Sequence, residues 1–475
     1  MSENKKKVVV VGNGMVGFRF CEKLIEYDAF HEYEITVLGE EPIPAYDRIS
    51  LSKIFSGKKE HELILAEARW YEYYKISLCL GVRVTAIDRG NKTVTATSGE
   101  TLSYDFLVIA TGARPRIPDS NGADFRGVHV YRTTNDVAAI RARARNADNA
   151  VILGGGLLGL EAAEACREMG LHTTIIERDP VLMTRQLDET AGRILHDKVE
   201  DLGIHTRTDA HVEQIEGSDA VESVTLTSGE KLPAELVILA AGIEPNDELA
   251  REAGLLIGPR GGISVNNKVQ TSDPSIYAIG ECAAFEGTTF GLVAPGYAMA
   301  EVAAANLGHI NKSFELEAPA SKLKLLDLQV ASLGQTHLMP PQAIHFIAQR
   351  LDRGVYKKLL FDPESRKLLG AILIGETSEF ERLRKHLQKE NPVPIAPAEW
   401  LAPIGEPYQA ELDLEDNDVV CFCSYVTKGD ICKAINEQNL QSTQAVMGAT
   451  YAASLCGSCF EMVDAVTKEH LRNNS

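Results

Sequence analysis

The sequence predicts an α/β fold with two Rossmann-like dinucleotide-binding domains, the second inserted in the first. Two glycine-rich turns support this prediction: VVVVGNGMVG at residues 8–17 and AVILGGGLLG at residues 150–159. Each turn follows an apolar run typical of a buried parallel strand and has the spacing GxGxxG. The first glycine permits a tight turn, the second lets the backbone approach a pyrophosphate, and the third lets the helix pack closely. One such motif is weak evidence, but two in one chain predict two bound nucleotides.

The order of apolar runs indicates the insertion and places two further domains after it. A run ending in Ala-Thr-Gly closes the first part, LVILAAG closes the insertion, and SIYAIGECA returns to the first domain. Later strand-like runs, a Pro-Glu-Ser turn and a helical stretch predict a small α+β domain. Five prolines and the acidic run ELDLEDND then predict a stiff linker. The predicted bounds are 1–118 with 243–315 for the first domain, 119–242 for the second, 320–390 for the third, 391–417 for the linker, and 418–475 for a mainly helical module.

The composition is that of a globular protein with more than one hydrophobic core. The chain has 475 residues, of which 44% are hydrophobic and 24% charged, and its formal net charge is −19. This charge argues against nucleic acid or an anionic membrane as a partner, and it would attract a protein with a basic patch. No apolar run approaches the roughly 18 residues of a membrane span. Because the valine run near the N-terminus is the strand before the first glycine turn and not a secretion signal, we expect a cytoplasmic protein.

An acidic residue at the end of the second strand of a dinucleotide fold normally accepts a hydrogen bond from a ribose hydroxyl. In the first fold Glu40 ends the strand EITVLGEE, with Glu41 as the alternative. In the second fold Glu177 ends TTIIE. A carboxylate at this position would repel a 2′-phosphate, so a nicotinamide coenzyme bound in this fold would be NADH in preference to NADPH. The neighbouring Arg178 is a feature that would instead accommodate the phosphate.

The nine cysteines are unevenly distributed, and five of them lie in the last 55 residues. Cys421 and Cys423 form a CxC pair, and 32 residues separate it from the CxxC pair of Cys456 and Cys459. Four thiolates in two tight pairs suit either tetrahedral zinc or a [2Fe-2S] cluster. Cys432 lies outside both pairs on a predicted helix, where we expect it to be part of the core.

Six motifs resemble those of the pyridine-nucleotide flavoprotein reductases: VGNGMVG, AYDRISLSK, GGGLLGLEA, LMTRQLD, YAIGECA and GLVAPGY. The resemblance covers nearly the whole chain. It is closer still to the N-terminal half of the large subunit of NADH-dependent nitrite reductase and to the electron-transfer subunit of assimilatory nitrate reductase. The cysteine spacing resembles the bacterioferritin-associated ferredoxin-like module, which favours iron–sulfur over zinc. The resemblance therefore implies three cofactors: FAD, NADH and a [2Fe-2S] cluster.

The resemblance also implies which residues bind each cofactor. Those implied for FAD are Gly12, Gly14, Gly17, Glu40, Arg48, Lys53, Val84, Thr111, Gly112, Arg132, Gly280 and Glu281. Those implied for NADH are Gly154, Gly156, Gly159, Glu161 and Glu177, and those for the cluster are Cys421, Cys423, Cys456 and Cys459. Lys53 and Glu161 would lie near the flavin and the nicotinamide, and no side chain is needed as a general acid or base. On the residues alone, Lys53 is a surface lysine, and a helix surface charge explains Glu161 equally well.

The expected function is transfer of electrons from NADH through FAD to the cluster and on to a partner protein. Disulfide reductases of this fold need a cysteine pair at the flavin, and cysteine-based peroxidases or oxidases need a cysteine in the loop filled here by PIPAYDRIS. Neither is present. In Glu281 the chain has a glutamate where aspartate is common in the wider family, so its contact with the flavin's ribityl chain is expected to be looser.

The acceptor is expected to be a molybdenum nitrate reductase subunit. Nitrite reductase large subunits continue into a sirohaem and [4Fe-4S] region, whereas this chain ends sixteen residues after Cys459, so we expect an electron-delivery subunit or a fragment. The alternatives are the electron-input part of a nitrite reductase and a ferredoxin or rubredoxin reductase. In a hypothesis of another class, the cysteine module is a docking or iron-sensing element on an NADH-responsive scaffold.

Overall fold

Two five-stranded parallel sheets form the centres of the two dinucleotide-binding domains. In the first sheet the strand order is Ile276–Ala278, Phe106–Ile109, Lys6–Val11, Tyr33–Gly39 and Ser77–Leu80. In the second sheet it is His205–Arg207, His172–Ile176, Asn149–Leu153, Leu236–Leu239 and Val128–Val130. The computed structural model describes residues 5–28, 31–118, 122–316, 318–325, 328–389, 400–401, 404–405, 414–421, 424–454, 457 and 459–473.

The second domain is inserted in the first. The strand Ile276–Ala278, which follows the insertion, pairs with Phe106–Ile109 of the first sheet, with Ile276 opposite Leu107. The chain crosses between the domains twice, and the two crossings pair as the antiparallel strands Ala113–Pro115 and Ile243–Pro245. The predicted α/β fold with two Rossmann-like domains is confirmed.

Helices and short antiparallel strands complete both domains. The first domain contains helices Met15–Tyr27, Ala68–Tyr73, Glu248–Glu252 and Val293–Leu307, and 3-10 turns Leu51–Ile54, Glu60–Leu63 and Gly280–Cys282. Its antiparallel strands are Val84–Asp88, Thr93–Ala96, Thr101–Ser103, Ile263–Val265, Ala283–Phe285 and Thr288–Thr289. The second domain contains helices Thr134–Ala144, Leu157–Glu168 and Glu189–Asp201 and strands Val212–Gly217, Val221–Leu226 and Lys231–Pro233.

The third domain is an antiparallel sheet with a helix, Phe380–Lys389, packed on it. The strand order is Ala320–Leu325, Leu328–Gly334, Leu368–Ile374, Val355–Phe361 and Ile344–Arg350, with a 3-10 turn at Leu351–Arg353. Trp400 and Leu401, which lie in the predicted linker, are buried in the core of this domain. Most of the predicted linker lies outside the described residues.

The third domain is joined to the second through Asp188, the N-cap residue of helix Glu189–Asp201. The carboxylate accepts hydrogen bonds from the Tyr356 hydroxyl at 2.8 Å and from Lys358 Nζ at 2.9 Å. Burial acts to raise the pKa of Asp188, but the amide of Ala191, Lys358 and Tyr356 together lower the pKa below its ordinary value. This contact fixes the third domain on the face of the second.

The C-terminal module is mainly helical, as predicted. Strands Val419–Cys421 and Val426–Thr427 form a two-stranded ribbon, which helices Lys428–Gln438, Thr443–Thr450 and Phe460–Asn473 follow. The module has its own hydrophobic cluster, which includes Val420, Ile431, Val446 and Val463.

Candidate functional site

The first glycine turn forms an open cradle at the N-terminus of helix Met15–Tyr27. Gly12 has a φ of +115°, and an added Cβ there or at Gly17 would overlap backbone atoms. At Gly14, in contrast, an added Cβ would meet nothing within 4 Å. The side-chain amide nitrogen of Asn13 is buried, without a hydrogen-bond partner among the described residues. A helix N-terminus with free amide donors and an unpartnered polar atom suits the diphosphate of a nucleotide.

The two acidic residues after the second strand have different partners. Glu40 is largely exposed and pairs with Arg83 Nη1 at 3.0 Å. Glu41 forms an ion pair with Arg48 and accepts a hydrogen bond from the Tyr46 hydroxyl at 2.8 Å. Glu40 is therefore the carboxylate that remains accessible at the end of the strand, and its ribose contact stays a prediction.

Several residues implied for the flavin are close together where the first domain meets the second. Arg132 forms an ion pair with Glu281, and a Cβ added at Gly112 would lie 3.7 Å from the Arg132 guanidinium. Arg48 Nη1 donates to the Arg132 carbonyl oxygen at 3.0 Å. Two more of the implied residues lie next to this group: Thr111, whose hydroxyl donates to the Asn246 carbonyl at 2.8 Å, and Gly280, which has a φ of +79°.

Lys53 and Glu161 lie on two elements that pack together. Lys53 is in the turn Leu51–Ile54, which packs against helix Leu157–Glu168, on which Glu161 lies. Burial raises the pKa of the Asp47 carboxyl, and the positive charge of Lys53 partly opposes this. Burial, followed by the negative charge of Glu161, raises the pKa of Tyr131. The predicted pair is therefore partly buried and lies beside the buried Asp47 and Tyr131, where the turn of the first domain packs on the helix of the second.

Sequence reasoning missed three features of this region. Asp47 and Tyr131 are buried at 2% and 1% exposure and adjoin the predicted residues. The N-terminus of helix Val293–Leu307 lies near the first glycine turn, because Gly296 packs against Val16 and Gly280. Its N-cap residue, Leu292, provides no side-chain cap, so this helix end also has free donors. Asp47 lies in the motif AYDRISLSK and the start of the helix lies in GLVAPGY, but no spacing rule assigns a role to either.

The second glycine turn repeats the geometry of the first. Gly154 has a φ of +119°, and a Cβ added there would lie 2.5 Å from the Ala240 carbonyl oxygen, whereas at Gly156 it would meet nothing within 4 Å. Glu177 accepts hydrogen bonds from the amide of Gly155 at 2.6 Å and from that of Asp179 at 3.0 Å. These contacts hold the carboxylate at the carboxyl end of its strand, beside the glycine turn.

Within the described part of the chain, the Arg178 side chain makes no hydrogen bond or ion pair with the second glycine turn. Its side chain is 66% exposed, and its Nε lies 3.7 Å from the Asp179 carboxylate. An exposed arginine paired with its neighbour is a weaker determinant of the coenzyme than Glu177, whose carboxylate is anchored to the turn. The geometry supports the prediction that this site takes NADH.

The structure describes two of the four predicted cluster ligands, Cys421 and Cys459. Both are buried in the hydrophobic cluster of the C-terminal module. Cys423 and Cys456 lie outside the described residues, and within the described part of the chain no group of three metal-binding side chains occurs. Two thiols from the CxC and CxxC pairs in one apolar core fit a cluster ligand set. Cys432 is half-buried at the edge of this cluster, and burial raises its pKa.

The C-terminal module contacts the first domain beside the first glycine turn. Tyr425 packs against a small cluster that includes Met15 and Tyr297. Arg19 Nη2 lies 3.5 Å from the Tyr425 carbonyl oxygen, and the Tyr451 hydroxyl lies 3.5 Å from the Leu65 carbonyl oxygen. The loop that follows Cys423 thus adjoins the helix that begins at the predicted flavin diphosphate site.

The fold and these sites define a nucleotide-dependent flavoprotein reductase with an added iron–sulfur module. Residues 6–306 match the pyridine nucleotide-disulphide oxidoreductase family, and the chain belongs to that family. Residues 319–391 match the rubredoxin NAD+ reductase C-terminal domain, and residues 419–469 match the BFD-like [2Fe-2S] binding domain. The predicted oxidoreductase class and the predicted FAD, NAD and [2Fe-2S] cofactors are confirmed.

Curated proteins and solved structures support the same assignment. The chain is 38% identical over 474 residues to the nitrite reductase (NADH) large subunit of Escherichia coli (strain K12), covering 98% of this chain and 56% of that protein. It is 35% identical over 464 residues to the assimilatory nitrate reductase electron transfer subunit of Bacillus subtilis (strain 168), covering 97% of this chain and 59% of that protein. The chain thus spans about half the length of these curated relatives.

A solved ferredoxin reductase shows the same fold. The ferredoxin reductase for the CYP199A2 system from Rhodopseudomonas palustris superposes with a TM-score of 0.75 at 27% identity, over 82% of this chain and 96% of that chain. The predicted resemblance to nitrite reductase and nitrate reductase electron-transfer subunits is confirmed. Among the described helices, none is both long enough and apolar enough to cross a membrane.

Proposed function

We propose that this chain is an electron-delivery component that takes electrons from NADH and passes them through its C-terminal cluster to a separate catalytic protein. The observation that carries the proposal is the contact of the Tyr425 loop with Met15 at the first glycine turn. It places the iron–sulfur module beside the FAD domain of the same chain. When bound, FAD accepts hydride from NADH and can release single electrons, and a [2Fe-2S] cluster carries one electron at a time.

The chain's own residues bind, orient and select in this scheme. The free amides of the first glycine turn would hold the FAD diphosphate, and Glu40 the adenosine ribose. Glu177 would accept from the ribose of NADH and exclude a 2′-phosphate. Lys53 and Glu161 would line the place where the two cofactors meet. Cys421, Cys423, Cys456 and Cys459 would bind the cluster.

The partner we propose is the catalytic subunit of an assimilatory molybdenum nitrate reductase. The Bacillus relative, whose name describes it as an electron transfer subunit of this reductase, aligns with 97% of this chain. The second candidate is the electron-input part of an NADH nitrite reductase, because the Escherichia coli relative is slightly more similar at 38% identity. Both candidates share the internal route and differ only in the acceptor.

The experiment pairs the purified chain with each acceptor in turn. With NADH and a molybdenum nitrate reductase subunit we expect nitrate consumption, and with a sirohaem nitrite reductase region we expect little nitrite consumption. The double variant Cys421→Ser, Cys423→Ser should abolish transfer to the partner while direct reduction of dyes by the flavin persists. Cys432→Ser is the matched control, because it removes a thiol of the same module outside both pairs.

Two results would contradict the proposal. Undiminished transfer to the nitrate reductase after loss of the cluster would show that the module is not a relay. Faster coupling to the sirohaem region than to the molybdenum subunit would favour the nitrite reductase assignment.

A further inference from the structure

Arg384 extends from the third domain to the strand on which Cys421 lies. It belongs to helix Phe380–Lys389, and its Nη2 donates to the Val419 carbonyl oxygen at 2.8 Å. Arg384 is only 4% exposed. A buried guanidinium must have partners, because an unpaired buried charge is costly. Here one of its partners is the backbone of the cysteine strand, two residues before Cys421.

Arg384 also pairs with a carboxyl group of its own helix. Arg384 Nε donates to Glu381 Oε2 at 3.1 Å. Burial raises the pKa of the Glu381 carboxyl, and the positive charges of Arg384 and Lys322 oppose the rise. At the next residue of the helix, Lys385 Nζ lies 3.7 Å from the Asp418 carboxylate. This ion pair is more exposed than that of Arg384 with Glu381.

The contacts of the module with the first domain are weaker. The two hydrogen bonds from Arg19 and Tyr451 are both 3.5 Å long, and Lys433 lies 4.0 Å from Glu26 in an exposed ion pair. Hydrogen bonds of normal strength have donor–acceptor distances near 2.9 Å, and exposed ion pairs contribute little. Among the described residues, the polar contacts of the module with the third domain are thus shorter than its polar contacts with the FAD domain.

We propose that Arg384 is a positioning residue that holds the strand Val419–Cys421 on the third domain and keeps a positive charge beside the predicted cluster. The proposal rests on the proposed function in one respect, namely that Cys421 is a cluster ligand. Nearby charges and hydrogen bonds set the reduction potential of such clusters, and a cation favours the more negative, reduced form. Arg384 would therefore raise the reduction potential of the cluster.

The test compares Arg384→Met with Lys385→Met in the full chain loaded with its cofactors. Lys385 is the matched control, since Lys385→Met removes the same charge from the same helix and the ion pair that it loses is with the Asp418 side chain. In hydrogen exchange, the amides of residues 418–421 should exchange about tenfold or more faster in Arg384→Met, the effect of losing a charge-assisted hydrogen bond. In Lys385→Met we expect the exchange of these amides to change by less than about threefold. In a redox titration followed by the cluster's electron paramagnetic resonance signal, the midpoint potential should fall in Arg384→Met.

Arg384→Lys keeps the experiment decisive if the methionine variant does not fold. It retains the charge and loses the forked geometry, so exchange should rise while the midpoint stays near that of the wild type. If the amides of residues 418–421 exchanged at the wild-type rate in both Arg384 variants, Arg384 would not hold the strand in place. An unchanged midpoint potential in Arg384→Met would contradict the effect of its charge on the cluster. Absence of iron from the wild-type protein would instead contradict the proposed function. The exchange measurement would still show whether Arg384 holds the strand Val419–Cys421 on the third domain.

Discussion

Replacing Gly156 with alanine should weaken NADH binding without disturbing the fold. The residue has a φ of −80° and a ψ of −177°, which alanine adopts without strain, and the added Cβ would meet nothing within 4 Å. The new methyl group would lie where the backbone approaches the NADH diphosphate. Losing one hydrogen bond to a charged group costs about 1.5–3 kcal/mol, so the Kd for NADH should rise by about 10- to 150-fold.

Gly159→Ala provides the contrast within the same motif. An added Cβ there would overlap the Gly154 carbonyl oxygen, so the glycine turn itself must shift. Such overpacking typically costs about 1–3 kcal/mol of folding stability. Gly14→Ala is the reciprocal variant in the first turn and should lower FAD content while leaving NADH affinity unchanged.

The assay is titration calorimetry with NADH, together with thermal unfolding and flavin absorbance. We expect Gly156→Ala to keep its FAD and its melting temperature and to lose NADH affinity. Gly159→Ala should melt earlier. Wild-type NADH affinity in Gly156→Ala would refute the assignment of the second turn as the nicotinamide-coenzyme site, because the methyl group cannot be accommodated beside a diphosphate held there.

Two further predictions follow from single carboxylates. Glu177→Ala should weaken NADH binding by about one to two decades and reduce the preference for NADH over NADPH, whereas Arg178→Ala should change this preference little. Steady-state kinetics with both coenzymes checks this, and a preference of the wild type for NADPH would contradict it. Asp188→Asn should loosen the third domain: because the folded pKa is lowered, the stabilisation is present above the ordinary pKa of 3.8 and is lost as pH falls through the folded value. At pH 7 the free energy of unfolding, measured by denaturant titration, should therefore be about 1–3 kcal/mol larger for the wild type than for Asp188→Asn. The difference should shrink as pH falls below 3.8, and equal stability at pH 7 would contradict the contact.

The glycine turns and their strands were predictable from the sequence because their signal is local. Buried valine runs and the spacing GxGxxG require a particular backbone, and the φ values of Gly12 and Gly154 agree with it. The two cysteine pairs were visible for the same reason. The family resemblance then supplied Arg132 and Glu281, which the structure pairs although they lie far apart in sequence.

The remaining features depend on contacts between distant segments. Strand Ile344–Arg350 is an edge strand with many exposed residues, so its apolar pattern is weak. Trp400 falls in a proline-rich stretch, yet its ring lies 4.1 Å from that of His386 and is buried. No local pattern predicts that Arg384 bonds to the Val419 carbonyl, because both residues are unremarkable until the domains are assembled.

The order of reduction within one chain tests the central claim most directly. The anaerobic protein is mixed with NADH, flavin absorbance is followed by stopped flow, and the cluster by freeze-quenched electron paramagnetic resonance. The account predicts that the signal of the reduced cluster grows as electrons leave the flavin, and that in the Cys421→Ser, Cys423→Ser variant the flavin is reduced without any such signal. A cluster that stays oxidised beside a fully reduced flavin would contradict the relay and favour a docking or iron-sensing scaffold.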